Sequence, residues 1–141
     1  MKHKGSAEWF GDLRSGKGVI STESGALNNL PYGFDTRFGD VKGTNPEELI
    51  GAAHASCFSM ALSNELTKAG ITNARIATVA TVELKQVGGV FTIAASHLDV
   101  TVKAPGSEKS SVESAANKAK SNCPVSKLLK AEVTMSASYE V

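Results

Sequence analysis

The sequence predicts an α+β fold built mainly on antiparallel sheet, and three observations carry that prediction. Two long stretches, Ala74 to Val87 and Val90 to Val102, contain runs of alternating apolar and polar residues and meet at Gly88-Gly89, the pattern of a tight hairpin. One helical segment, from Pro46 to Lys68, precedes this hairpin and a second follows it. The first third is turn-rich and β-like. Strands, helix, hairpin, helix and strand in that order belong to α+β rather than to alternating α/β architecture.

Taken in order, Ala7 to Phe10 reads as a strand, and Gly11-Asp12 with Ser15-Gly16-Lys17-Gly18 punctuates the chain before Val19 to Thr22. Asn28 to Gly33 is a turn cluster, and Phe34 to Phe38 a short extended piece. Gly43-Thr44-Asn45-Pro46-Glu47-Glu48 opens a helix with an evident cause. Thr44 or Asn45 caps it, Pro46 suits the first helical position, and the glutamates complement the positive end of the dipole. Gly70 is the stop. The middle of this helix, Gly51 to Leu62, is small and apolar on almost every side, which predicts burial all round, at the centre of a two-layer domain or of a dimer. Pro105-Gly106-Ser107 breaks the chain, with Ser107 or Ser110-Ser111 capping a helix through Lys120. Ser121-Asn122-Cys123-Pro124 restarts a short helix to about Leu129, and Glu132 to Val141 alternates like a final edge strand.

With 141 residues the chain fits one domain, residues 1–141, large enough to bury a core without staples. Fifteen Lys and Arg against 14 Asp and Glu leave a formal charge of +1, with no basic excess for neutralising phosphates, so nucleic acid is not an expected partner. Aromatics are only 6%, so small aliphatics must fill the core, and such a chain gains apolar burial by oligomerising. Met1 to Gly5 runs into polar, glycine-rich sequence without the apolar core of a signal peptide, and Leu49 to Leu62 is too short and too polar to span a bilayer. The expectation is a cytoplasmic protein without membrane partners, in which a structural disulfide between the two cysteines, Cys57 and Cys123, is not expected.

Each cysteine is therefore either a packed small hydrophobe or a reactive group. Cys57 sits mid-helix among Ala, Ser, Phe and Met, where burial alone would keep the thiol protonated and inert. A cation about 4 Å away contributes roughly 4 kcal/mol at an effective dielectric of about 20, so one arginine suffices to reverse that. The chain has three, Arg14, Arg37 and Arg75; Arg37 lies in Phe34-Asp35-Thr36-Arg37-Phe38, between aromatics that could seat it. Cys123, followed by Pro124, takes the cap position of a short helix, where free N–H groups favour a thiolate. Glu47 and Glu48 stand about ten residues, or about 15 Å, before Cys57 on one helix, so either would act indirectly, by holding Arg37, or across a dimer interface. His54, one turn before Cys57, has the spacing of a metal pair with Cys123 as a third ligand; without a fourth donor, a packed or hydrogen-bonded histidine is the plainer reading and no metal is expected. A non-catalytic α+β dimer that binds a hydrophobic ligand is a further alternative.

Three motifs in order now carry a resemblance: Tyr32 to Phe38, Thr44-Asn45-Pro46-Glu47-Glu48 through Ala53-His54-Ala55-Ser56-Cys57-Phe58, and Asn122-Cys123-Pro124-Val125-Ser126. Together they resemble the OsmC/Ohr family of thiol peroxidases, its osmotically inducible protein C branch in particular, from about Ala7 to Tyr139. The resemblance implies an intertwined homodimer in which sheets wrap around long central helices. It implies reduction of organic hydroperoxides, and less efficiently of hydrogen peroxide, in defence against oxidative and osmotic stress. By motif, Cys57 corresponds to the peroxidatic cysteine, Cys123 to the resolving cysteine that closes a Cys57–Cys123 disulfide, Arg37 to the arginine beside the thiolate, and Glu47 to its carboxylate partner. No cofactor is implied; the electrons come from an external dithiol such as a lipoylated protein.

Overall fold

The structure is a computed structural model and describes residues 1–141. The chain divides into two compact units, residues 1–49 and 50–141, with the boundary in the first turn of the long helix.

The first unit is a three-stranded antiparallel meander: β1 (Gly5–Phe10), β2 (Lys17–Thr22) and β3 (Leu30–Gly33), in the order β1-β2-β3. The β1–β2 turn is tied by Asp12, whose carboxylate accepts from the Ser15 hydroxyl and from the N–H groups of Arg14 and Ser15; these bonds pull its pKa down to about 2. Two expectations need correction here. The expected turn cluster Asn28 to Gly33 is a turn only at its start, where Asn29 adopts φ 49°; from Leu30 it pairs as an edge strand, a position where Pro31 costs no ladder bond. The expected extended piece Phe34 to Phe38 is a one-turn helix, α1 (Phe34–Phe38). The aromatic residues are four apart, which suits a helical turn as well as alternation, and here the rings meet at 4.9 Å. Thr36 decides the matter. Its Oγ1 accepts from the Gly33 N–H, and its hydroxyl lies 3.0 Å from the carbonyls of Gly33 and Thr44.

Helix α2 (Pro46–Lys68) begins as the sequence predicts: Asn45 Oδ1 accepts from the Glu48 N–H at 2.8 Å, and Asn45 Nδ2 donates to the Thr36 carbonyl. Gly70 follows its end, with the Gly70 N–H on the Thr67 carbonyl and the Ile71 N–H on that of Leu66. Within the single chain one stripe of this helix is buried, Gly51, His54, Phe58, Leu62 and Leu66, at helical spacing, which is the part of the expected all-round burial that one chain supplies. Ala52, Ala53, Ser56 and Met60, on the other faces, are exposed.

The second unit carries the core. Strands β4 (Arg75–Val87) and β5 (Val90–Lys103) form the long hairpin, turned at Gly88 and Gly89, both with positive φ as a two-residue turn of this kind requires. Helices α3 (Lys109–Asn122) and α4 (Pro124–Leu128) lead to β6 (Glu132–Glu140), which pairs with β5 in parallel. A parallel return needs a crossover connection, and α3 with α4 supplies it. Phe58, Leu62 and Leu66 of α2 pack with Leu98, Val100 and Val102 of β5 and with Val112, Ala115, Ala116 and Ala119 of α3. Gly51 lets α2 approach the sheet: a Cβ there would stand 3.0 Å from the Ala80 carbonyl oxygen. No serine caps α3; Glu108 occupies that position and the Ser111 and Val112 N–H groups reach its backbone carbonyl instead.

Candidate active site

Within the second unit, α2 and the α3–α4 junction bring the two cysteines together. Cys123 closes α3, its N–H on the Ala119 carbonyl at 2.8 Å, and at the same time opens α4 ahead of Pro124. Its side chain is fully buried in the core, whereas Cys57 is half-buried. Both are free thiols, Cys57 packing against the buried cluster that holds Cys123, with the Cys123 thiol and the Val125 N–H within electrostatic reach of the Cys57 sulfur. Burial, foremost, and the adjacent Cys123 push the Cys57 thiol above its ordinary value near 9.0, against the pull of the Val125 N–H. A raised thiol pKa means that this unit does not by itself hold a thiolate at neutral pH.

Within the first unit, Arg37 on α1 and Glu47 at the start of α2 form a tight pair. Arg37 Nη2 donates to Glu47 Oε1 at 2.7 Å, and Nε reaches both carboxylate oxygens at 3.2 Å. The Glu47 side chain is only 11% exposed and that of Arg37 35%, so the pair is better shielded from solvent than an ordinary surface bridge. The guanidinium lies over the Phe38 ring at 5.3 Å, and Arg14 lies over Phe34 at 5.1 Å. Trp9, Leu13, Tyr32, Phe34, Arg37 and Phe38 line an open hollow of about 270 Å³, apolar with one cation at its edge. Such a hollow suits an alkyl or aryl group attached to a polar, reacting head. The aromatics that flank Arg37 in the sequence, Phe34 and Phe38, both line it. Met60 is exposed on α2, in the other unit.

His54 is fully buried, and both ring nitrogens are taken: Nδ1 lies 2.7 Å from Ser96 Oγ on β5 and Nε2 2.8 Å from Ser126 Oγ on α4. Burial pushes its pKa down, favouring the neutral ring. With both nitrogens engaged by hydroxyls, the zinc alternative loses its nitrogen donor. The hydrogen-bonded histidine was legible in the sequence, but its partners were not. Ser96 carried a signal, since it falls in phase with Leu98, Val100 and Val102 on the core face of β5, where a polar residue requires a buried partner. Ser126, on a single-turn helix, carried none.

The family model described as OsmC-like protein matches residues 39–138. The chain is 55% identical over 132 residues to Peroxiredoxin OsmC of Escherichia coli (strain K12), covering 94% of this chain and 92% of that protein. Among solved structures, an organic hydroperoxide resistance protein from Elizabethkingia anophelis superposes with a TM-score of 0.72 at 21% identity, over 99% of this chain and 96% of that one. The organic hydroperoxide resistance protein OhrB of Bacillus subtilis gives 0.69 at 21%, over 99% and 98%. At that identity the structural likeness speaks for the fold alone. A family match over 100 of 141 residues and majority identity across nearly the whole length lead to one conclusion: the chain belongs to the OsmC-like protein family.

Proposed function

We infer that the protein is a cysteine-based peroxidase, a thiol-dependent reductase of organic hydroperoxides and, less efficiently, of hydrogen peroxide, serving in oxidative and osmotic stress defence. The observation that carries this reading is the pairing of a half-buried Cys57 with a fully buried Cys123 in contact with it. The greater exposure of Cys57 supports it as the cysteine that meets the oxidant, and the burial of Cys123 beside it supports a resolving role. The family relative named Peroxiredoxin OsmC supports the same chemistry.

In the proposed cycle the Cys57 thiolate attacks one peroxide oxygen, the O–O bond breaks, alcohol or water leaves, and Cys57 becomes a sulfenic acid. The Cys123 sulfur then attacks the oxidised sulfur, expelling water and forming the Cys57–Cys123 disulfide. An external dithiol, such as a lipoylated protein, restores both thiols by exchange; no resident metal or prosthetic group is required. Because its own surroundings keep the Cys57 thiol protonated, a cation must be supplied. We assign that role to Arg37, held by Glu47 and stabilising both the thiolate and the charge that develops on the peroxide. Arg37 precedes the family match at residue 39, so this assignment leans on its pairing with Glu47 and on the aromatic hollow beside it.

The working form is proposed to be an intertwined homodimer of one-domain chains, residues 1–141, acting in the cytoplasm without nucleic-acid or membrane partners. No helix is long and apolar enough to cross a membrane. The first unit supports a dimer. Gly18 is the only buried residue among residues 1–49, and a three-stranded sheet without a buried apolar face is not stable by itself in water.

Adding one equivalent of cumene hydroperoxide to the reduced protein tests the reading. Two thiols should be lost with a mass decrease of two hydrogens, mapped by peptide analysis to Cys57 and Cys123, and Cys57→Ser should abolish turnover. Thiols unchanged after minutes would remove the peroxidase reading.

A further inference from the structure

We propose that His54, braced by Ser96 and bonded to Ser126, is a positioning residue that holds Cys123 in register with Cys57, so that disulfide closure depends on a histidine outside the reacting atoms. The proposal rests on the two-cysteine cycle above and deepens it.

The geometry is that of two rungs between two helices. On α2, His54 and Cys57 are three residues apart and so share a face. On the facing segment, Cys123 and Ser126 are also three apart, across the start of α4. Cys57 meets Cys123 and His54 meets Ser126, so the hydrogen-bonded rung stands one turn from the sulfur rung and fixes its register. The register matters because a disulfide tolerates only a narrow span, with Cα atoms about 4.4–6.8 Å apart.

Helix α4 has few other means of staying in place. It is five residues long, a single turn, and none of them is fully buried. Its attachments are the Cys123 side chain itself, the half-buried Val125, packed against the core and with its N–H toward the Cys57 sulfur, and the Ser126 hydroxyl on His54. Oxidation of Cys57 adds an oxygen atom at the first of these attachments, which leaves the Ser126 rung as the polar anchor during the very step that requires alignment. The anchor is rigid at its other end. His54 is shut off from water, its Nδ1 is fixed 2.7 Å from Ser96 on the central strand β5, and a buried bond of this kind has no solvent to compete with it. Each serine hydroxyl can donate to the bare ring nitrogen or accept from the protonated one, so a neutral ring satisfies both at once.

The consequence lies in partition. Oxidised Cys57 has two fates in the presence of substrate. With Cys123 aligned, Cys57–SOH and Cys123–SH give the disulfide and water. With Cys123 displaced, a second hydroperoxide oxidises Cys57–SOH to the sulfinic acid, releasing a second alcohol. The latch therefore protects the enzyme from self-inactivation by excess peroxide.

The test uses the full-length, reduced protein, rapid mixing with cumene hydroperoxide, acid quench and mass analysis, in wild type, Ser126→Ala, Ser126→Thr and His54→Leu. In Ser126→Ala the appearance of disulfide should slow about tenfold while peroxide consumption in the first turnover stays within about twofold of wild type. The sulfinic form of Cys57 (two added oxygens) should accumulate under excess peroxide. Ser126→Thr, which keeps the hydroxyl, should restore closure. His54→Leu should repeat the Ser126→Ala pattern; should it fail to fold, the serine pair decides. Disulfide formation at the wild-type rate in Ser126→Ala would overturn the latch, and so would an equal loss in both steps, which marks general disruption. A wild-type protein that forms no disulfide at all overturns the two-cysteine reading itself, a different result from either.

Discussion

Arg37 and Lys would carry the same charge, yet the structure makes them unequal. The guanidinium spends Nε and Nη2 on Glu47, with Nη1 outside that pairing, so it can be fixed by one acceptor and still face another. Lysine presents a single ammonium and cannot divide its donors between two directions in a plane. Arg37→Lys should therefore lower the rate of Cys57 oxidation at pH 7 by one to two orders of magnitude, with fold and thermal stability nearly unchanged; wild-type turnover in that variant would remove Arg37 from the cycle. His54 supports a second expectation, this one about pH. Burial holds its folded pKa below the ordinary 6.5, so as the pH falls through 6.5 the unfolded chain takes up the proton first. Stability is then complete above 6.5 and is lost as the pH drops toward the lower folded value, at most about 1.4 kcal/mol per pH unit for one proton. Denaturant titrations at pH 7.5 and 5.5 should show a larger loss in wild type than in His54→Asn, whereas equal losses would mean that the ring is not buried neutral.

Among the elements, those with strong local causes were legible before any coordinates. Helix α2 was bounded by Asn45 and Gly70, and the long hairpin was marked by alternation around two glycines. What the sequence concealed were the segments where two local patterns compete. Phe34 to Phe38 satisfies both an alternating and a four-residue spacing, and the outcome turned on Thr36 bonding to Gly33 and Thr44, which spacing does not reveal. The parallel direction of β6 was hidden too, because alternation fixes which face a strand buries but not which way it runs. The same division holds for the site. Cys57 and Cys123 were conspicuous by type and position, and Arg37 with Glu47 by motif, but Ser126 acquires meaning only once His54 faces it across 72 residues of chain. The closeness of α2 to the sheet yields a prediction at this scale. The Gly51 Cα faces the Ala80 carbonyl with no room for a branched side chain, so Gly51→Val must push helix and strand apart. The expected cost is about 1–3 kcal/mol, net of the better helix propensity of valine over glycine. A shift in the urea midpoint checks it; a stability equal to wild type would mean that the helix can move freely over β4.

For the whole molecule the decisive fact is what the single chain leaves uncovered. The α2 surface carries Ala52, Ala53 and Ser56 in the open, and Met60 is 76% exposed. In the first unit Phe10 is 86% and Leu13 66% exposed. Small residues along a helix face allow close approach of another backbone, and exposed large apolar side chains are what an association between chains would bury. A polar surface would have served a monomer better, so this surface is best explained as the interior of the proposed homodimer. If so, the interface is continuous with the site. Cys57 lies on the same helix as Met60, one turn earlier, and a change that separates two chains would also open the cysteine to water. Met60→Glu should therefore act twice. Sedimentation velocity should report the mass of one chain where wild type gives two, and peroxide turnover should fall by at least tenfold although Cys57, Cys123, Arg37 and Glu47 are untouched. Methionine to leucine at the same position, apolar and of similar volume, should leave both assembly and turnover intact. A wild-type protein that sediments as a single chain, or a Met60→Glu variant that remains a fully active dimer, would show that this face has another purpose.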